Sequence, residues 1–508
     1  MKLKQLCVAM LPLLFTPMLS AEPWVDTSNI FLRSNIQLLA DSGVITTPVT
    51  TFPLMWHDIA RDLKNISLNT LTERQKNAFS YVNHQFRLAK KNQKTLKTSI
   101  AADDKRFTSF GDNFRDNNSA TLSSSFMTDS LAINISTSYT HSPSDGDKTR
   151  LDGSYIAAYL GNWVFSAGKQ DRWWGPAWDT SMSMSNNARP MPTLAMSRKS
   201  AIGFEVPFTE HSIPWTVTSF MGIMDDDRVI NDALLWGFRL NFKPAKNWEI
   251  GITRLAQWAG DGRPHSLDTF WRVLKGEDNC GGNGPTIEEC QNGEEPGNQL
   301  AGYDIRWSSS ILQQPLSVYF TMFAEDGDRS GGLSVFGEER YQLGVDTYLN
   351  FLNNDWRVYV EATDTYALCS DGVNGDGTST IGDCYYEHST YKTGMRYNGR
   401  SIGSSYENDA STYVLGMIAQ GSGDTNYEFK LRWLQLNKDN SDRAPGNAQI
   451  GNTVSEIAEN TLMLSSKVQH NYRNWRFTVG ADISQSSFDN DIKTQTDVNG
   501  YFTIQYNL

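Results

Sequence analysis

Apolar and polar residues alternate over most of this chain, and the last nine residues, Gly500–Leu508, show the pattern most clearly. Phe502, Ile504, Tyr506 and Leu508 fall on one face of an extended strand, with polar residues between them. The same period of two recurs from about Lys97 onward and predicts about 18 strands, counting this closing one. The others are Lys97–Ala101, Ser119–Met127, Leu131–Tyr139, Leu151–Leu160, Trp163–Lys169, Ala201–Phe208, Trp215–Gly222, Ala233–Phe242, Trp248–Trp258, Leu300–Trp307, Leu316–Ala324, Tyr341–Leu349, Trp356–Thr363, Thr412–Gln420, Tyr427–Leu436, Ile457–Val468 and Trp475–Gln485.

Short and long connections alternate between these strands. Gly161–Asn162 and Lys243–Asn247 are short, whereas the intervening connections run from roughly ten to more than forty residues. Short turns on one side and long loops on the other are typical of outer-membrane barrels, and several strands begin or end in a tryptophan suited to an interfacial girdle. The pattern therefore predicts an all-β fold, an antiparallel transmembrane β-barrel covering residues 95–508. Tyr391–Tyr397 is assigned to an excursion within the longest loop.

Residues 22–94 follow helical spacing instead. Thr27 or Ser28 begins a first predicted helix that ends near Gly43, and Pro53 precedes a short second one. Thr72 and Gln75 form a capping box for a third. Three small helices are too few to form a hydrophobic core of their own, so we expect them to pack on the periplasmic mouth of the barrel.

Composition agrees with an exported barrel. Met1–Ala21 has the charged start, apolar stretch and small final residues of a signal peptide, and we exclude Cys7 with it. Mean hydropathy is −0.46 although 12% of residues are aromatic, which suits strands that need an apolar residue only at every second position. The net charge of −12 argues against nucleic acid as a partner. A soluble propeller is the alternative, but no repeat of 40 to 50 residues is apparent.

The four remaining cysteines fall into two local pairs, Cys280 with Cys290 and Cys369 with Cys384. In an exported chain such spacings indicate two loop-closing disulfides, with metal binding as the alternative. Both pairs lie on the long-loop side, which would therefore be the oxidising exterior.

Unusual residues concentrate on the same side. The segment Gln170–Arg198 is rich in tryptophan and proline, and we expect it to fold inward over the lumen. Tryptophan faces stack on sugar C–H groups and arginine forks match carboxylates, so these residues suit a glycan. The alternative is that the tryptophans form the packed core of a plug.

Acidic residues at strand ends raise a catalytic hypothesis. Glu325 with Asp326 and Glu361 with Asp364 would be candidate carboxylate pairs for glycoside hydrolysis, or ligands of a calcium ion. Solvated loop carboxylates are the commoner case. The chain lacks a Ser-His-Asp order, an HExxH motif and a phosphate-binding glycine loop. We therefore predict no catalytic residue, no cofactor and no metal.

Four blocks of the sequence resemble the Wzi-like capsule-assembly proteins of the Gram-negative outer membrane: Arg172–Pro176, Ala188–Met191, Gln257–Pro264 and Glu295–Asp304. The resemblance implies an 18-stranded barrel closed below by a helical bundle and above by folded-in loops. It also implies a surface lectin that holds exported capsular polysaccharide on the cell without catalysis. The two cysteine pairs are not part of that pattern.

We therefore predict a monomer in the outer membrane, with extracellular loops, a periplasmic helical region, and lipid and polysaccharide as partners. The alternatives are an outer-membrane channel or porin-like transporter, and a glycan-modifying enzyme. The predicted polysaccharide-binding residues are Arg172, Trp173, Trp174, Arg189, Trp258, Asp261 and Arg263.

Overall fold

The computed structural model describes residues 22–112, 114–207, 212–277, 297–311, 314–325, 338–367, 382, 384–421, 424–442, 444–489 and 494–508. Within these ranges, eighteen strands close into one antiparallel barrel. They are β1 Lys94–Ala101, β2 Ser119–Met127, β3 Leu131–Thr140, β4 Tyr155–Leu160, β5 Trp163–Lys169, β6 Pro192–Arg198, β7 Trp215–Met224, β8 Ala233–Ala245, β9 Trp248–Trp258, β10 Gly297–Ile311, β11 Gln314–Glu325, β12 Glu338–Phe351, β13 Asn354–Asp364, β14 Ala410–Gln420, β15 Thr425–Leu436, β16 Glu459–Tyr472, β17 Trp475–Phe488 and β18 Gln495–Asn507. A two-residue segment, Thr149–Arg150, also pairs with β3 ahead of β4.

The last strand closes the barrel by pairing with the first, from Tyr501 opposite Ala101 to Asn507 opposite Thr95. The predicted barrel is therefore confirmed. Strands β2, β5 and β9 have the predicted bounds, and most of the others extend beyond them by a few residues.

One predicted strand is wrong. Pro192–Arg198 forms β6, whereas the predicted Ala201–Phe208 contributes only the short ribbon Phe204–Glu205 paired with Ser212–Ile213. Proline is tolerated as the first residue of a strand, and Pro192 holds that position. The segment after β6 is tied down instead, because Ser200 donates to the buried carboxylate of Asp58 at 2.7 Å.

Alternation gives the barrel wall two chemically different faces. On β15, Leu431 and Trp433 point outward and are exposed, while Lys430 and Arg432 point into the lumen and are buried. An apolar exterior and a polar interior are what a lipid-embedded barrel requires.

The N-terminal helices are α1 Ile30–Asp41, α2 Trp56–Asn65 and α3 Glu73–Ala89. Asn29 caps α1, and the predicted capping box of Thr72 and Gln75 begins α3. Across the described parts of the chain, no helix combines the length and apolar character needed to cross a membrane.

Helix α1 lies inside the barrel near its short-turn end. Asp41 accepts from inward-facing Arg306 at 2.8 Å, and the Ser34 carbonyl accepts from Arg357 at 2.9 Å. Both arginines are buried, and each also pairs with Asp346. The helical region therefore fills part of the lumen as well as covering its mouth.

Candidate functional site

The tryptophan-rich loop 170–191, which connects β5 to β6, turns into the lumen as predicted. Its Trp173–Trp174 segment pairs with Thr51–Phe52 of the N-terminal region as a two-stranded ribbon. Its far side is held by Glu361 of β13, which accepts the backbone N–H of Trp178 at 2.6 Å and of Asp179 at 3.0 Å. Because both attachments reach the interior, the loop is a structural plug that meets the helices midway.

Arg33 of α1 sits at this meeting point. Its guanidinium donates to the carbonyl oxygens of Pro176 at 3.0 Å and Ala177 at 2.8 Å. The rings of Phe110 and Trp178 each lie 4.5 Å from its central carbon. Burial lowers the pKa of Arg33 to about 9, so the group remains charged at neutral pH.

Three of the predicted glycan contacts belong to this packed interior. Trp173 and Trp174 are 0% and 1% exposed, and Arg172 is 5% exposed. Trp173 donates to the Ala177 carbonyl at 3.1 Å, and Trp174 packs on Phe220 with ring centroids 5.6 Å apart. These side chains support the loop, and a glycan would reach them only if the loop moved.

Arg189 has a different role at the long-loop end. Its guanidinium pairs with Asp145 at 2.6 Å, Asp147 at 3.0 Å and Asp152 at 2.8 Å. Burial opposes the ionised form of Asp145, but the hydrogen bond and charge of Arg189 outweigh it and lower the pKa of that carboxyl. Arg189 therefore fastens the 141–154 loop to the folded-in loop.

A cavity of about 410 Å³ lies beneath this ion-pair cluster. Its outer end is formed by Asp116, Arg150 and Asp152, and its inner end by residues of the helical region such as Trp24 and Gln85. Short hydroxyl side chains of β2 and β3 line the wall between them: Ser119, Thr121, Ser123, Ser125, Ser136, Ser138 and Thr140. Because these side chains are short, the lumen beside β2 and β3 stays open. Beside other strands, larger charged side chains fill the lumen.

We predict that Arg189→Ala opens this cavity to the exterior. Without the guanidinium, Asp152 loses its ion pair and Asp145 keeps only Arg150. The 141–154 loop is then held less firmly to the folded-in loop, so single-channel recordings in planar bilayers would show small-ion conductance absent from the wild type. Lys148→Ala, which changes an exposed cation on the same loop, is the matched control. Equal conductance in all three proteins would refute the assignment.

The remaining three predicted contacts lie at the outer rim. Asp261 is exposed, and the guanidinium carbon of Arg263 lies 5.8 Å from the ring centre of Tyr391, in the loop between β13 and β14. The Tyr391 hydroxyl donates to the Ala259 carbonyl at 3.1 Å, which joins the two loops. Trp258 faces the outside of the barrel and packs on Phe270, with ring centroids 4.9 Å apart. The seven predicted residues thus divide among the packed interior, the ion-pair cluster at Arg189 and the outer rim.

The acidic residues proposed for catalysis are engaged in structural hydrogen bonds. Glu361 also accepts from the Tyr319 hydroxyl at 2.7 Å and is 1% exposed. Glu325 accepts the N–H of Tyr386 at 2.8 Å, and Asp364 accepts from the Ser411 hydroxyl at 2.8 Å. Asp326 lies outside the described residues. In the described part of the chain, no group of three or more His, Cys, Asp or Glu side chains is placed to hold a metal ion.

Cys384 is disulfide-bonded and packs against the cluster that contains Trp174. Cys384 therefore lies at the same end of the barrel as the folded-in loop 170–191, as the sequence predicted. Cys280, Cys290 and Cys369 lie outside the described residues, so the two pairings stay predictions.

Sequence reasoning missed Arg33 and the anchoring role of Glu361. A signal for Arg33 was present, because it is a lone cation directly after the apolar run Ile30–Leu32 at the start of α1. Glu361 faces inward among the alternating residues of β13, but only the fold shows that it receives backbone N–H groups 182 and 183 positions away.

Asp409 gives the outer loops a pH dependence. Burial, together with the nearby charge of Asp439, raises the pKa of Asp409 to about 8, while its carboxylate oxygen accepts the Asp439 N–H at 3.0 Å. Between about pH 4 and 8, the Asp409 carboxyl is protonated while the loop contact is closed and ionised once the contact opens. The free energy that keeps the contact closed therefore falls as pH rises, and it becomes constant above pH 8.

We predict that amide protection around Asp409 falls from pH 5 to pH 8 by up to about tenfold per pH unit, after correction for intrinsic exchange. Asp409→Asn keeps the shape and cannot ionise, and asparagine tolerates the positive φ of 48° at this position. The variant should therefore show constant protection over this range. A decline of the same size in both proteins would contradict the assignment to Asp409.

Together these features define a transmembrane β-barrel whose lumen is occupied by its own helices and loops. The family profile described as "Capsule assembly protein Wzi" matches residues 87–499, and the chain belongs to this family.

Two relatives illustrate the similarity. A Klebsiella pneumoniae protein described as an uncharacterized 55.8 kDa protein in the cps region is 29% identical over 346 residues, 66% of this chain and 64% of that protein. The match thus spans a little under two thirds of that relative. The structure of Escherichia coli Wzi, described as an outer-membrane carbohydrate-binding β-barrel involved in group 1 capsule assembly, has a TM-score of 0.77 at 21% identity. The comparison covers 94% of this chain and 98% of that one, and it demonstrates a shared fold.

Proposed function

We propose that the chain is an outer-membrane surface lectin that binds exported capsular or other extracellular polysaccharide and helps to attach it to the cell. The observation that carries the proposal is the lumen, which is occupied by α1 and by loop 170–191 joined through Arg33. A barrel filled in this way is suited to present a surface rather than to pass a solute. Membership of the capsule-assembly family supports the same conclusion.

Within this proposal, the glycan meets the outer rim. Asp261 and Arg263 supply an acceptor and a charge-assisted donor, and the buried Tyr391 supports the segment that bears them through its hydrogen bond to Ala259. Trp173, Trp174 and Arg172 hold the folded-in loop beneath this rim, and Arg189 ties two loops together. The protein binds its glycan without cleaving it, because Glu361, Glu325 and Asp364 serve as hydrogen-bond acceptors in the scaffold.

We further propose that the chain is a monomer with its loops outside the cell and its helices in the periplasm. A channel is the second candidate, and the cavity of about 410 Å³ is the observation that favours it. A steady, large conductance of the wild-type protein would support the channel over the lectin.

The cellular test compares bound with shed polysaccharide. Cells that express Asp261→Ala with Arg263→Ala are expected to shed a larger share of their capsular polysaccharide than cells expressing the wild type. Glu73→Ala with Lys76→Ala is the matched control, because it removes an ion pair of 2.6 Å from the helical region at the opposite end. Equal shedding in wild type and rim variant, with equal amounts of folded protein, would exclude these two residues as glycan contacts.

A further inference from the structure

A fourth helix, α4 Leu267–Lys275, lies on the outside of the barrel. Along β9, Trp248 and Ile252 point outward and are exposed, so Arg254, Ala256 and Trp258 point outward by the same alternation. Yet Ala256 and Trp258 are only 0% and 6% exposed. The helix covers them, since they form one apolar cluster with Val273 and Phe270.

Specific contacts hold α4 in this position. Phe270 packs on Trp258 with ring centroids 4.9 Å apart and a tilt of 32°, and it meets Trp236 of β8 edge-on at 6.0 Å. Arg254 donates to the carbonyls of Val273 and Leu274, each at 2.7 Å, and so caps the negative end of the helix dipole. Ser266 caps the other end by accepting the Thr269 N–H at 3.0 Å.

The side of α4 that faces away from the wall is also apolar. Leu267, Trp271 and Leu274 follow i, i+4, i+7 spacing, and Leu267 and Trp271 are 86% and 58% exposed. Arg272 and Lys275 lie on the remaining side with Asp268. A helix with one apolar side on protein, a second apolar side that carries two exposed residues, and a narrow charged strip is suited to the plane of a membrane interface.

The depth of α4 on the wall agrees with that location. Tyr413 and Trp433 pair across β14 and β15, are 48% and 49% exposed, and each lies three residues from the long-loop end of its strand. Such exposed aromatic pairs mark the interfacial girdle of a barrel. Trp236, on which Phe270 rests, also lies three residues from the long-loop end of its strand. The side of α4 that bears Leu267 and Trp271 is therefore continuous with the lipid-facing surface.

We propose that α4 is an interfacial helix that inserts Leu267 and Trp271 among the acyl chains of the outer leaflet and directs Arg272 and Lys275 toward anionic headgroup phosphates. The occupant is lipid, and the inference depends on the transmembrane barrel but not on glycan binding. The helix follows directly on the rim segment that holds Asp261 and Arg263. Its insertion would fix that segment at the membrane surface.

The test is site-specific photocrosslinking of the full chain in vesicles of phosphatidylethanolamine and phosphatidylglycerol. Benzoylphenylalanine at Leu267 or Trp271 should give lipid adducts, as it should at Ile252, an outward residue of β9. The same probe at Val229, an exposed residue at the long-loop end, should give none. Adducts at Leu267 and Trp271 no stronger than at Val229, or crosslinks between two protein chains instead, would overturn the proposal.

A second measurement needs no probe at these positions. In vesicles with brominated acyl chains, the wild type should lose a larger fraction of its tryptophan emission than Trp271→Phe, since the variant lacks one lipid-inserted indole. Equal fractional quenching of the two proteins would also overturn the proposal.

Discussion

Arg33→Ala is expected to detach loop 170–191 from the helical region and lower the free energy of opening of this contact by about 3–5 kcal/mol. The substitution leaves the Pro176 carbonyl without its buried donor and the Ala177 carbonyl with only the Trp173 indole. It also leaves a void between Phe110 and Trp178, which now pack on the guanidinium. Both effects act on the interior of the lumen and leave the strand ladder intact.

Hydrogen exchange measured by mass spectrometry over residues 172–184 checks this result. The variant should exchange much faster than the wild type there, with the strands unchanged. Arg87→Ala, which removes an exposed cation from α3, is the matched control and should behave as the wild type. Unaltered exchange in Arg33→Ala would mean that the loop is held independently of α1.

Trp173→Ala with Trp174→Ala is expected to abolish most polysaccharide retention while the barrel still inserts. Replacing a buried tryptophan by alanine costs about 3–5 kcal/mol, and both of these rings are buried. Neither residue belongs to the barrel strands. The loss therefore falls on the folded-in loop and, through it, on the rim.

Retention is measured as cell-bound polysaccharide at equal amounts of folded protein, judged by gel mobility before and after heating. Trp248→Ala with Trp475→Ala removes the same number of indoles from exposed positions on the outer wall and should retain polysaccharide. Normal retention in the Trp173 and Trp174 variant, with the barrel inserted, would show that the loop does not support binding.

The barrel could be predicted because its pattern is local. A period of two identifies a strand from its own residues, and so β2, β5 and β9 have the predicted bounds. Strand β6 was missed because Pro192 and the preceding proline made Pro192–Arg198 look like part of the loop. The alternation within Thr193–Ser197 was present but short.

The arrangement of the lumen and rim could not be predicted in the same way. Arg33 contacts carbonyl groups more than 140 positions away, and no local period encodes such a pairing. The outward direction of Trp258 follows from the register of β9, whereas its burial depends on α4 lying over it. The burial of Trp173 and Trp174 agrees with the alternative stated from the sequence, in which the tryptophans form the packed core of a plug.

Binding of purified capsular polysaccharide, prepared from the cells that make this protein, to the detergent-solubilised full chain tests the lectin proposal most directly. We predict saturable binding that weakens about tenfold in Asp261→Ala with Arg263→Ala, because a hydrogen bond to a charged group contributes about 1.5–3 kcal/mol. No saturable binding by the folded wild-type protein would contradict the account.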